Sequence, residues 1–89
     1  MKDRYLEVTF RKGKAMAAYL YLPRNPGEKS RRTEKTEAGM LIDYGDANRP
    51  IGIEITAPRQ VSLEAINHVL VRLGFYPLGE EEIAPLLAA

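Results

Sequence analysis

No cysteine occurs among the 89 residues of the chain. That absence removes disulfides, thiolate nucleophiles and thiolate zinc sites together. Histidine is nearly absent as well: His68 stands alone, without a second imidazole to suggest a metal centre. Long apolar runs are missing. The longest, Ala15 to Leu22, has eight residues, where a membrane-spanning helix needs about 20. The first residues, Met-Lys-Asp-Arg-Tyr-Leu-Glu, carry charges where a signal peptide needs an apolar stretch. These absences lead to the expectation of a soluble cytoplasmic domain with no membrane contact, no metal and no cofactor.

The balance of charge is informative in its distribution. A net charge of +1 conceals ten Lys/Arg against four Asp/Glu in residues 1–35, and three against eight in residues 36–89. Opposite fields of this kind attract over about 8–10 Å, which favours antiparallel self-association, orients a partner, or neutralises the two halves internally once the chain folds. Neither half is basic enough to indicate nucleic acid. The length allows one domain, residues 1–89, which buries only roughly 60–65% of the surface its unfolded form exposes. So thin a core makes self-association a natural completion.

Alternation marks the strands. Leu6, Val8 and Phe10 alternate with Tyr5, Glu7 and Thr9. Arg11-Lys12-Gly13-Lys14 suits a hairpin turn. In the next run Met16, Ala18, Leu20 and Leu22 share one face, with Ala15, Ala17, Tyr19 and Tyr21 on the other, and Pro23 ends it. Residues 24–37 hold eight charges and no large apolar side chain, which predicts a charged loop or a charged extension of the flanking strands. Met40, Ile42 and Tyr44 then alternate with Leu41 and Asp43. A turn follows in which Asn48 tolerates positive φ. Ile51, Ile53 and Ile55 alternate with Gly52, Glu54 and Thr56 before Pro58.

Beyond Gln60 the period changes. Ser62 suits an N-cap, Glu64 the positive helix end and Gly74 a left-handed stop, predicting a helix over 62–73. Leu63, Ile66, Val69, Leu70 and Leu73 form its apolar stripe. Residues 77–89 are expected as an appendage with a helical turn from Glu80. Its Ile83, Leu86 and Leu87 need a surface to cover, on this subunit or a neighbour. The expected fold is α+β, a four-stranded, mainly antiparallel β-meander packed against one C-terminal helix.

The stretch Leu41-Ile42-Asp43-Tyr44, a turn, then Pro50-Ile51-Gly52-Ile53-Glu54-Ile55 resembles the domain of unknown function 2283 family of small bacterial proteins. Ala17-Ala18-Tyr19-Leu20 stands where that family has an Ala-Leu-Tyr-like segment, and the resemblance covers residues 5–56. Two departures stand out: Met16 where the family usually has an acidic residue, and Asn48 where its turn usually has glycine. The resemblance implies a fold and, by inference for some members, pairing with small toxin-like proteins. It implies no established activity.

Candidate chemistry concentrates on the polar strand face. Period 2 puts Tyr19, Tyr21, Asp43 and Glu54 there, with Glu7 and Thr9. Amphipathic tyrosine rings beside carboxylates suit a partner or a small polar ligand. Asp43 and Glu54 flank one turn and invite comparison with an acid–base pair or a hard-metal site. Close backbone approach at Gly52 and solvent-side charge at Glu54 explain the pattern more simply. Asp46-Ala47-Asn48 imitates the start of a calcium loop but lacks the glycine and glutamate that complete one. Ser30 and Ser62 have no base beside them, and no glycine-rich phosphate loop precedes a helix. The basic residues Arg24, Lys29, Arg31, Arg32 and Lys35 are interrupted by Glu28 and Glu34 and lack interleaved aromatics, which weighs against nucleic acid.

The expectation is therefore a non-enzymatic interaction module with no catalytic residue. It forms a homodimer, pairs with a small partner protein, and presents Tyr19, Tyr21, Asp43 and Glu54 with an apolar tail, Ile83, Leu86 and Leu87. The alternative is a small-ligand-binding protein or enzyme using the same tyrosine and carboxylate face.

Overall fold

The computed structural model describes residues 4–37 and 39–87, with only the backbone of Leu87. Its strands are β1 (Tyr5–Arg11), β2 (Lys14–Tyr21), β3 (Arg32–Lys35), β4 (Met40–Tyr44) and β5 (Pro50–Ile55), followed by helices α1 (Leu63–Arg72) and α2 (Glu80–Leu87). The fold is α+β, as expected. The sheet has five strands in the order β1-β2-β5-β4-β3, all neighbours antiparallel.

Three expectations are corrected. The charged segment 24–37 is not one loop, because Arg32–Lys35 adds an edge strand to β4. No apolar pattern announces that strand; main-chain pairing holds it, with the Arg32 guanidinium 4.0 Å from the Tyr44 ring centroid. The strands are not a simple meander either. β5 sits between β2 and β4 because its Ile51, Ile53 and Ile55 are wholly buried and suit the sheet centre. The third correction is a second helix, α2, where a single turn was expected.

The two hairpins follow from turn chemistry. Arg11 pairs with Lys14, and Lys12 and Gly13 take φ of 53° and 77°. Positive φ at both central residues is what a two-residue hairpin with the native strand twist requires. Lysine is poorly suited to that conformation. Lys12→Asn is expected to raise stability by about 0.5–1 kcal/mol, read as a higher urea midpoint; a lower midpoint contradicts this view of the turn. In the β4–β5 turn Asn48 has φ 58°, as expected, and Ala47 shares it at 54°.

A register shift in the first hairpin alters which side chains face inward. Thr9 faces Ala17 and Phe10 faces Ala15, leaving Met16 as the extra residue. Ala15 is therefore buried while Met16 is half exposed, the reverse of the expected alternation. Phe10, at the hairpin end, is also half exposed.

The connection from β2 to β3 crosses one end of the sheet and is fastened there. Leu22 N donates to the Ile51 carbonyl (3.1 Å) and Arg31 N to the Tyr44 carbonyl (2.8 Å). The Glu28 carboxylate accepts from the amides of Asn25 (3.1 Å) and Asp46 (2.7 Å) and from Arg49 Nη2 (2.6 Å). Those donors, the Asn25 amide foremost, hold the Glu28 carboxyl below the usual carboxylate range against the opposing effect of being covered.

Both helices pack on one side of the sheet. Ser62 Oγ accepts from Ala65 N (3.1 Å) at the start of α1. At its end Phe75 N donates to the Leu70 carbonyl and Gly74 N to the Val71 carbonyl, with Gly74 at φ 90°. This is the glycine-terminated Schellman arrangement. Ile66, Val69 and Leu70 of α1 and Ile83 and Leu86 of α2 join Leu20, Leu22, Met40, Ile42, Ile53 and Ile55 in one core. Arg4 clamps α2 beside β1. Its Nε and Nη2 donate to the Glu82 carboxylate (2.8 and 3.0 Å), and Nη1 and Nη2 donate to the carbonyls of Tyr76 and Pro77 (2.5 and 2.9 Å). Among the described residues no helix is long and apolar enough to cross a membrane.

Candidate functional site

With both helices on one side, the opposite side of the sheet carries the expected face. Strand register arranges it in two rows. One runs Tyr5, Tyr21, Gly52, Asp43, Thr33; the other runs Glu7, Tyr19, Glu54, Leu41, Lys35. Paired residues on neighbouring strands lie on the same side, so these ten residues share one surface, with Gly52 leaving a gap in it.

Three tyrosines gather on its β1–β2 side. The rings of Tyr5 and Tyr21 stack with centroids 4.6 Å apart, and those of Tyr19 and Tyr21 meet edge-on at 4.6 Å. Arg24, from the crossing connection, places its guanidinium 5.3 Å from the Tyr21 centroid. Tyr19 lies across Gly52: a Cβ at residue 52 would overlap the Tyr19 ring at Cε2, Cζ and Oη. Glycine is thus required here by close approach of a ring, not by its backbone angles.

That placement lets Tyr19 Oη reach beyond β5 and donate to Asp43 Oδ2 (2.7 Å), while Thr33 Oγ1 donates to Asp43 Oδ1 (2.5 Å). Each Asp43 oxygen therefore accepts from a hydroxyl. Tyr21 Oη lies 3.4 Å from Glu7 Oε1, a long hydrogen bond. Burial foremost, with the bond to Asp43, pushes the Tyr19 phenol up to about 12, against an opposing effect of Arg24. The Tyr21 phenol is also raised, first by desolvation and then by the Glu7 charge.

A titration follows from these shifts. The chain has five tyrosines and no tryptophan, so tyrosinate absorbance reads them without interference. One phenol is expected to ionise near 12, well after an ordinary tyrosine. Because its folded value is raised, its contribution to stability is complete below about pH 10 and is lost as pH climbs from there through the folded value. Asp43→Asn should bring that phenol to lower pH. An unchanged curve in the variant contradicts the Tyr19–Asp43 bond.

The four residues singled out from sequence are therefore all on this face, but they do not form one cluster. Tyr19 and Asp43 are bonded, Tyr21 turns toward Glu7, and Glu54 sits between Tyr19 and Leu41 in its row. Asp43 faces Gly52, not Glu54, so the two acids are not a cross-strand pair. Among the described residues no three His, Cys, Asp or Glu side chains gather to hold a metal ion. His68 is exposed on α1, as its place opposite the apolar stripe predicts. In the expected tail, Ile83 and Leu86 are 1% and 8% exposed within this chain's own core, so they cover this subunit and are not free for a neighbour. The Leu87 side chain lies outside the described residues. Sequence reasoning passed over Thr33 as part of the face. A glycine at a central-strand position is the one signal that pointed to a ring lying over it.

No known protein family matches this chain, and neither a curated protein nor a solved structure does. The family resemblance drawn from sequence rests on its motif residues alone.

Proposed function

We propose that the chain is a non-enzymatic cytoplasmic interaction module that self-associates and offers its tyrosine face to a small partner protein. The observation that carries this reading is the Tyr5–Tyr21–Tyr19 block on the side of the sheet away from both helices. Tyrosine rings give large amphipathic contact area at low conformational cost, and they are enriched where proteins meet. Here the rings are already held by one another, by Gly52 and by Asp43, which lowers the ordering cost of binding.

The reading includes kinship with the domain of unknown function 2283 family. In its support, the residues that carry the resemblance meet physically: Tyr19 of the upstream segment lies over Gly52 and bonds Asp43 of the downstream motif. A small-ligand or catalytic role draws less support. The oxygens of Asp43 are engaged by hydroxyls, and the hollows described on the molecule are lined by other residues, such as Ala15, Pro58, Arg59 and Leu86.

Native mass spectrometry of the untagged protein from its own host tests the proposal. The expected result is two copies, with a second small protein whose presence depends on Tyr5 and Tyr21. Replacing Tyr21 alone by alanine should remove the partner and leave the copy number. A bare single chain at every concentration contradicts the proposal.

A further inference from the structure

We infer that two copies of this chain join along β1, edge to edge and antiparallel, with Val8 facing Val8 of the second copy, to make one continuous ten-stranded sheet. The inference rests on the self-association proposed above and specifies its surface.

The two sheet edges differ in kind. β3 has four residues, Arg32 to Lys35, all polar or charged and all exposed. Short charged edges are a common defence against pairing with another chain. β1 has seven residues, no proline, and no charge on its helix-facing side, where Leu6, Val8 and Phe10 lie. Among the described residues it has a strand neighbour on one side only. Two of the large apolar side chains left most exposed, Tyr5 at 50% and Phe10 at 47%, belong to this strand.

Its sequence is self-complementary in one register. Antiparallel partners must share a face, so the symmetric alignments centre on Glu7, Val8 or Thr9. Centring on Glu7 sets two carboxylates directly opposite, which is unfavourable. Centring on Thr9 forfeits Tyr5 and Leu6. Centring on Val8 uses all seven residues. Phe10 then covers Leu6 on the helix-facing side, Tyr5 meets Arg11 on the other, and Glu7 faces Thr9. The two-fold axis stands perpendicular to the sheet, so both tyrosine blocks look the same way and form one doubled platform.

A cysteine-free chain makes the register directly testable. Facing residues of an antiparallel pair have Cα atoms about 4.5–5.5 Å apart, within reach of a disulfide. Val8→Cys should therefore yield a covalent dimer under mild oxidation. Thr9→Cys should not, since the two copies of residue 9 are offset by two positions. A second pair of variants works on the folded surface, because Thr9 is exposed opposite Ala17. Thr9→Glu puts like charges opposite Glu7 twice in the dimer and should weaken self-association by about two- to thirty-fold; Thr9→Lys should strengthen it. A dimer that cross-links no better through position 8 than through position 9, or that ignores the sign of the charge at 9, overturns the β1 interface and leaves self-association standing. A chain that stays monomeric overturns both.

Discussion

Ile83→Ala is expected to cost about 2–5 kcal/mol of folding stability, the usual range for removing a buried aliphatic side chain and leaving a cavity. For a domain of this size each kcal/mol lowers the unfolding midpoint by about 4–8 °C, so the loss is readily seen. The reason is geometric. Ile83 is 1% exposed and shares a core with Leu20, Ile53 and Leu70, although it comes from a segment that reads as an appendage. Arg4 holds that segment in place through Glu82, whose carboxyl is kept below the usual carboxylate range chiefly by the guanidinium beside it. Urea denaturation of the variant checks the assignment. An unchanged midpoint accompanied by altered self-association would return Ile83 to an intermolecular role.

Gly52→Ala carries the second large effect. The new methyl group takes the space of the Tyr19 ring, so the ring must leave, and the bond to Asp43 and the edge contact with Tyr21 go with it. A loss of about 1–3 kcal/mol is expected, together with disappearance of the late-ionising phenol. The effect should depend on its neighbour. In a Tyr19→Ala background the same substitution should cost little, because a glycine in a strand interior is itself unfavourable. Equal costs in both backgrounds contradict the contact.

These two positions show what was legible in the sequence. Period-2 alternation identified the four larger strands, and capping chemistry placed α1 within a residue at each end. The tyrosine and carboxylate face was visible too, since alternation alone assigns Tyr19, Tyr21, Asp43 and Glu54 to one side. What the pattern could not reveal depends on pairing. β3 has no apolar residue to mark it, so its existence follows only from β4 being free to pair. The insertion of β5 beside β2 is a tertiary choice that favours burial of three isoleucines. Met16 and Ala15 exchange faces because one residue is added in the hairpin, a shift that flips every side chain beyond it. The Tyr19–Asp43 bond spans a whole strand and needed the register of β2, β5 and β4 at once. Arg4 and Glu28, which fasten α2 and the crossing connection, gave no sequence signal beyond their charge.

Sedimentation equilibrium of the purified chain over a wide concentration range tests the central claim most directly. The account predicts a mass that rises from one chain on dilution to two chains at high concentration and stops there, because edge pairing about a two-fold axis closes on itself. A mass of one chain, 10.0 kDa, at every concentration would contradict it.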